Sequence, residues 1–162
     1  MKIVIQKKDN KITAYDDRTA RTYSIEELQN LASNGDSEAQ NAMGSYFLGM
    51  KNIDEAMAWI KKAAENGSAD AQWKVGCANY VGGFGVRKDL EKAEEWFRKA
   101  AEQGHAGGQA GLGGCYFAKS NWANAKIWLE KAVAQGHADP NHEQTKVSLE
   151  AVKLFLKADY KP

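Results

Sequence analysis

Four glycines, Gly35, Gly67, Gly104 and Gly136, recur along the 162-residue chain at intervals of 32, 37 and 32 residues. With these in register, Gln40, Gln72 and Gln109 align, as do Gly44, Gly76 and Gly113, Ala56, Ala93 and Ala125, and Trp59, Trp96 and Trp128. Self-similarity at this period restricts the chain to a stack of supersecondary units, because a single unit cannot bury its own apolar face and closes a core only against its neighbour.

Within each unit the apolar residues keep helical spacing. Ala93, Trp96, Phe97, Ala100 and Ala101 share one face, and so do Ala56, Trp59, Ile60, Ala63 and Ala64, and Ala125, Trp128, Leu129, Ala132 and Val133. These are the second, or B, helices of the units, and Trp59, Trp96 and Trp128 read as repeat core. The segments Ser37–Gly49, Ala69–Val81 and Ala106–Ala118 place small residues where a first, or A, helix would touch a B helix. Asn52 with Glu55, and Asp89, are positioned to cap B helices, and the repeat glycines suit the left-handed residue that ends a helix. The expected fold is mainly α: a right-handed α/α solenoid (superhelix) of stacked helix hairpins.

Residues 80–113, YVGGFGVRKDLEKAEEWFRKAAEQGHAGGQAGLG, carry a resemblance to a known family. The stretch is similar to the Sel1-like repeat, a relative of the tetratricopeptide repeat, in its G-x-G-V connector, its tryptophan, its K-A-A-E-x-G turn and its following glutamine. The first and third units lack that connector and carry MKNIDEA and KSNWANA instead. The resemblance spans about residues 24–139 and implies a partner-binding scaffold. Some secreted relatives hold a cysteine pair in every repeat; this chain has only Cys77 and Cys115.

The ends depart from the period. Ser24 and Glu27 form a capping-box pattern before Leu28 and Leu31, which reads as a half repeat starting the stack. Asp139-Pro140 suits a helix start, and Val147, Ala151, Leu154 and Phe155 line one stripe of a helix expected to cap the last unit. Ahead of the repeats, KIVIQKKDNKITAYD reads as two short strands about an Asp9-Asn10 turn, with RTYS as a possible third. The expected organisation is an N-terminal β-hairpin at 1–23, repeats at 24–138 and a capping helix at 139–162. The repeats divide into a half repeat at 24–35 and units at about 36–67, 68–104 and 105–136.

Function is constrained mainly by exclusion. The 22 basic and 21 acidic side chains nearly cancel, so no global field selects nucleic acid or an anionic membrane. Basic residues in the N-terminal hairpin are interrupted by Asp9, Asp16 and Asp17 and read as a solvated edge. Ile3, Val4 and Ile5 are too few for a signal-peptide core, and the expected location is cytoplasmic. Gly111, Gly113 and Gly114 follow no strand and lack the Lys-Ser/Thr of a phosphate loop. In repeat register Gly113 marks a close helix approach, whereas Gly107, Gly108, Gly111 and Gly114 look superfluous and should make the third A helix the least stable. His105 and His137 hold equivalent repeat positions, too far apart in a stack for one metal, and no cofactor or metal is expected. No nucleophile has a base beside it, so a hydrolase is disfavoured.

What remains is a protein-interaction module presenting the inner, concave surface of its A helices to a polypeptide partner. That surface comprises Glu38, Asn41, Ser45 and Leu48 from the first unit, Asp70, Trp73, Cys77 and Tyr80 from the second, and Ala110 and Phe117 from the third. Trp73, Tyr80 and Phe117 are expected to form one aromatic patch. A narrower version is a bacterial immunity protein that neutralises a cognate toxin.

Overall fold

A computed structural model of the chain describes residues 3–8, 11–16, 21–136 and 142–159. Three strands open it: β1 (Ile3–Lys8), β2 (Lys11–Asp16) and β3 (Arg21–Ser24). They pair antiparallel in the order β1-β2-β3, with Ile3 opposite Asp16, Lys8 opposite Lys11, and Thr13 opposite Ser24. The expected Asp9-Asn10 turn lies outside the described residues. Helices α1 (Ile25–Ser33), α2 (Ser37–Gly49), α3 (Ile53–Glu65), α4 (Ala69–Val81), α5 (Leu90–Glu102), α6 (Ala106–Ala118), α7 (Trp122–Ala134) and α8 (His142–Asp159) follow. The three A helices, α2, α4 and α6, have the bounds that the repeat pattern predicts.

Local chemistry sets the helix ends. Ser24 Oγ accepts from the Glu27 N–H while the Glu27 carboxylate accepts from the Ser24 N–H, completing the capping box at 3.1 and 2.8 Å. Asn52 and Asp89 cap α3 and α5 as expected. Gly35, Gly67 and Gly104 take φ of +93°, +95° and +83°. Each lets the next residue, Asp36, Ser68 or His105, donate its N–H back to the carbonyl of Leu31, Ala63 or Ala100. This is the left-handed helix ending that glycine makes inexpensive. His105 caps α6, its Nδ1 accepting from the Gly108 N–H at 3.1 Å. His137 lies outside the described residues, as does Asp139-Pro140.

The chain divides into two compact units, Met1–Val75 and Gly76–Pro162, with the boundary inside α4. In the first, β1 packs against α2, and β2 and β3 pack against α1. Tyr23 of β3 joins Leu28, Ala32, Ala39, Ala42 and Met43 in the core. The α2–α3 hairpin closes where Gly44 meets Ile60: a Cβ on Gly44 would overlap the Ile60 side chain.

In the second unit Phe97 of α5 fills the equivalent position. A Cβ placed on Gly76 or Gly111 would come within 2.6 or 2.7 Å of its ring, so both glycines exist to admit it. Leu129 of α7 lies against Gly113 in the same way. The large side chain seated against each A-helix glycine is therefore Ile60, Phe97 or Leu129, one residue after the tryptophan. This corrects the reading of Trp59, Trp96 and Trp128 as central core. All three are half-buried and lie under lysines one turn on, with Lys62, Lys99 and Lys131 Nζ at 4.9, 4.3 and 4.1 Å from the ring centroids. Their faces are shared between packing and a cation–π contact.

Two further expectations change. Gly108 and Gly111 are not superfluous, because a Cβ at Gly108 would lie 2.7 Å from Ala100 Cβ and 2.9 Å from the Ala101 nitrogen. On α8 the residues that pack are Leu149, Val152 and Leu156, against Ala125 and Leu129 among others, while Val147 and Leu154 are 63 % and 67 % exposed. Of the stripe read as the capping face, Val147 and Leu154 are thus outward, while Phe155 stacks on Trp122 and Ala151 is half-buried.

Candidate protein-interaction surface

In the first unit the expected surface residues come from α2 and the first turns of α4. Asn41 is buried, and its Nδ2 donates to Asp70 Oδ2 at 2.9 Å. Lys74 Nζ donates to Asn41 Oδ1 at 2.9 Å and to Ser45 Oγ at 3.2 Å, and it pairs with Asp70 at 2.8 Å. Four side chains from two successive A helices thus form a closed polar network. Lys74 was absent from the sequence-based surface. Its repeat slot is filled by Ala42 and Gly111, which conceals it, although its position four residues after Asp70 is an ion-pair signal. Asn41 is committed to this strap between A helices and is not an accessible anchor.

Around the network, Glu38, Ser45, Leu48, Asp70 and Trp73 are half-buried. Burial pushes the Glu38 carboxyl above its ordinary range, and a hydrogen bond from the buried Ser68 hydroxyl only partly opposes it. The face therefore mixes a large aromatic, a reluctant carboxylate and an ion pair fixed by an amide.

In the second unit Cys77, Tyr80, Ala110 and Phe117 are also half-buried. Tyr80 sits with Phe97, ring centroids 6.2 Å apart, and burial raises its hydroxyl pKa. Phe117 belongs to a separate cluster, edge-on to Trp122 at 5.3 Å and to Phe155 at 6.2 Å. In α6 the slots equivalent to Glu38, Asn41 and Ser45 hold Gly107, Ala110 and Gly114. Cys115 is buried, which pushes its thiol up to about 12, with the charge of Glu94 adding to the shift.

A second polar strap joins α5 to α6 and its following turn. Arg98 donates to Glu94 at 2.6 Å and to the Tyr116 hydroxyl at 2.8 Å, and Lys119 pairs with Glu94 at 2.7 Å. Burial alone would raise the Glu94 carboxyl, but Lys119 and Arg98 outweigh it and hold the group below its ordinary range. Glu94 thus accepts from both cations, and Arg98 also ties Tyr116 to it, as in a structural strap. Among the described residues no group of three or more His, Cys, Asp or Glu side chains could hold a metal ion, and no helix is long and apolar enough to cross a membrane.

Comparison with known proteins agrees with this geometry. The Sel1 repeat family model matches residues 37–68, 69–105 and 123–137. The chain belongs to the Sel1 repeat family. The unmatched interval between the second and third matches is α6 with its turn, where glycine replaces the usual side chains. A Sel1 repeat protein from Oxalobacter formigenes is similar over 78 % of this chain and 97 % of its own, at 33 % identity and a TM-score of 0.67. A protective antigen of uropathogenic Escherichia coli displaying an SLR fold matches 86 % of this chain at 28 % identity and a TM-score of 0.63. The present chain spans about a third (32 %) of that antigen's length. No curated protein matches.

Proposed function

We propose that the Sel1 repeats of this chain bind a polypeptide partner in the cytosol through the A-helix face of the first unit, without catalysis. Sel1 repeats typically serve as protein-interaction modules. The observation that carries the reading is the placement of Trp73 on α4 directly before Lys74, whose ammonium is tied to Asp70, Asn41 and Ser45. An aromatic side chain beside a pre-formed polar network can anchor a partner at small conformational cost, and such anchors dominate affinity. Glu38 and Asp70 would meet main-chain N–H groups or a basic side chain of the partner. Tyr80, Cys77, Ala110 and Phe117 of the second unit fall outside this primary anchor.

The test is capture with the intact chain, followed by calorimetry on the identified partner. Trp73→Ala is expected to weaken binding about thirtyfold, equivalent to about 2 kcal/mol, while leaving the thermal midpoint nearly unchanged. Unchanged affinity would move the surface away from the first unit. Loss of affinity together with loss of fold would make Trp73 a packing residue.

A further inference from the structure

Helix α8 has two apolar stripes, and only one of them is used. Leu149, Val152 and Leu156 pack into the second unit. Val147, Ala151, Leu154 and Ala158, spaced by four, three and four residues, form a heptad-type seam on another side. Val147 and Leu154 in that seam are 63 % and 67 % exposed. Beside it Phe155 is 45 % exposed, with its ring stacked on Trp122 at a centroid distance of 4.5 Å. A helix that only capped the stack would carry polar residues at these positions.

The shoulders of the seam indicate what covers it. One shoulder, repeating every seven residues, holds Glu143, Glu150 and Lys157; the other holds Ser148 and Phe155. In a parallel pair of α8 helices the first shoulder would meet the second, and neither Glu150 nor Lys157 would find an opposite charge. In an antiparallel pair centred between Ala151 and Leu154, Val147 lies across from Ala158 and Ala151 across from Leu154. Each shoulder then meets its own copy, so Glu150 of one chain faces Lys157 of the other, twice by symmetry. Phe155 meets Ser148 on the far side. We propose that α8 pairs antiparallel with α8 of a second copy of this chain, forming a two-fold dimer. The present partner of Glu150 is Lys153 at 2.8 Å, with side chains 68 % and 39 % exposed, an ion pair weak enough to exchange. A single 18-residue helix contributes a small interface, so the dimer is expected to be weak.

Sedimentation equilibrium of the full chain, from micromolar to near-millimolar concentration at low salt, tests the proposal. Wild type is expected to dimerise reversibly, and Leu154→Glu to weaken dimerisation at least about tenfold. Glu150→Lys places like charges across the axis at both ends and should also weaken it, whereas Glu150→Lys combined with Lys157→Glu in the same chain should restore it. Circular dichroism controls for folding, and Val147→Glu serves if Leu154→Glu fails to fold. A wild type that stays monomeric throughout would overturn the proposal, leaving the seam to another occupant. So would a dimer indifferent to Leu154→Glu, or a charge swap that fails to restore association.

Discussion

Positions 96 and 97 show how far two neighbouring residues can differ. Their directions around α5 differ by about 100°, yet both lie within the broad apolar face that periodicity detects. Pattern alone therefore cannot say which of them meets the glycines of α4 and α6. The structure assigns that position to Phe97, fully enclosed between Gly76 and Gly111, and leaves Trp96 half-buried under Lys99. Phe97→Ala should cost about 3–5 kcal/mol in chemical denaturation, the range for emptying an aromatic core site. Trp96→Ala should cost about 1–2 kcal/mol, because only part of its area is removed from water. Equal costs would place both rings in the core. The glycines of α6 allow a comparison of sign. Helix propensity alone makes Gly→Ala stabilising by about 1 kcal/mol. That gain is expected at Gly114, where an added Cβ meets only Tyr80 Oη at 3.9 Å. At Gly108 the new Cβ would strike the backbone of α5, so Gly108→Ala should lower the thermal midpoint. Two shifts of the same sign would refute the close approach. Glu38 adds a pH test. Its folded-state pKa is raised by burial, so the native state binds the proton more readily than the unfolded chain, and stability falls as pH rises through that range. Glu38→Gln should therefore be more stable than wild type at neutral pH, and the advantage should shrink in acid.

At the scale of elements, most of the architecture was legible because the repeat glycines set a register within which three independent signals can be read: an apolar face, a capping side chain and a terminal glycine. The three coincide in α3 and α5, capped by Asn52 and Asp89 and ended at Gly67 and Gly104, while the bounds of α2, α4 and α6 follow from the repeat register and agree with those observed. The repeating glutamines were legible as a pattern but not as a device. Gln40, Gln72 and Gln109 are buried, and their Nε2 groups reach back to Ala32, Ala64 and Ala101 carbonyls in the last turn of the preceding helix. Gln40 also accepts from Asn66 at the end of α3, and Gln109 from Gln135 at the end of α7. One amide thus ties an A helix to the helix before it and to the helix after it. No spacing rule reveals this, since the partners are backbone carbonyls at positions where any residue type would serve. Gln40→Leu keeps the volume but leaves the Ala32 carbonyl and the Asn66 amide to seek other partners. It should cost about 1–3 kcal/mol, read from the denaturation midpoint. The interaction surface was harder to read than the fold. Asn41 and Lys74 bond each other across two A helices, and Tyr80 and Phe117 each pack against rings of other helices.

For the molecule as a whole, the N-terminal sheet decides how the repeat array begins. Read as sequence, the half repeat at α1 already offers Leu28 and Leu31, so the strands look dispensable. In the structure Leu28 shares its core with Tyr23 of β3, and β1 packs on α2, so the sheet covers the first hairpin rather than standing apart from it. Repeat arrays gain stability from nearest neighbours, and an end unit without a cover loses the interface that an interior unit has on both sides. Removing residues 1–22 keeps Tyr23 and the capping box but strips β1 and β2 from α1 and α2. The truncated chain should retain its helical circular dichroism, because α1 to α8 and their caps are intact. Its stability should drop by about 2–4 kcal/mol, as expected when a few apolar side chains lose their cover. Hydrogen exchange locates the loss: amides of α1 and α2 should exchange faster, while those of α6 and α7, in the other compact unit, should change little. Uniform acceleration along the chain would show a single cooperative array with no local beginning. Unchanged protection in α2 would show that the sheet only decorates the end.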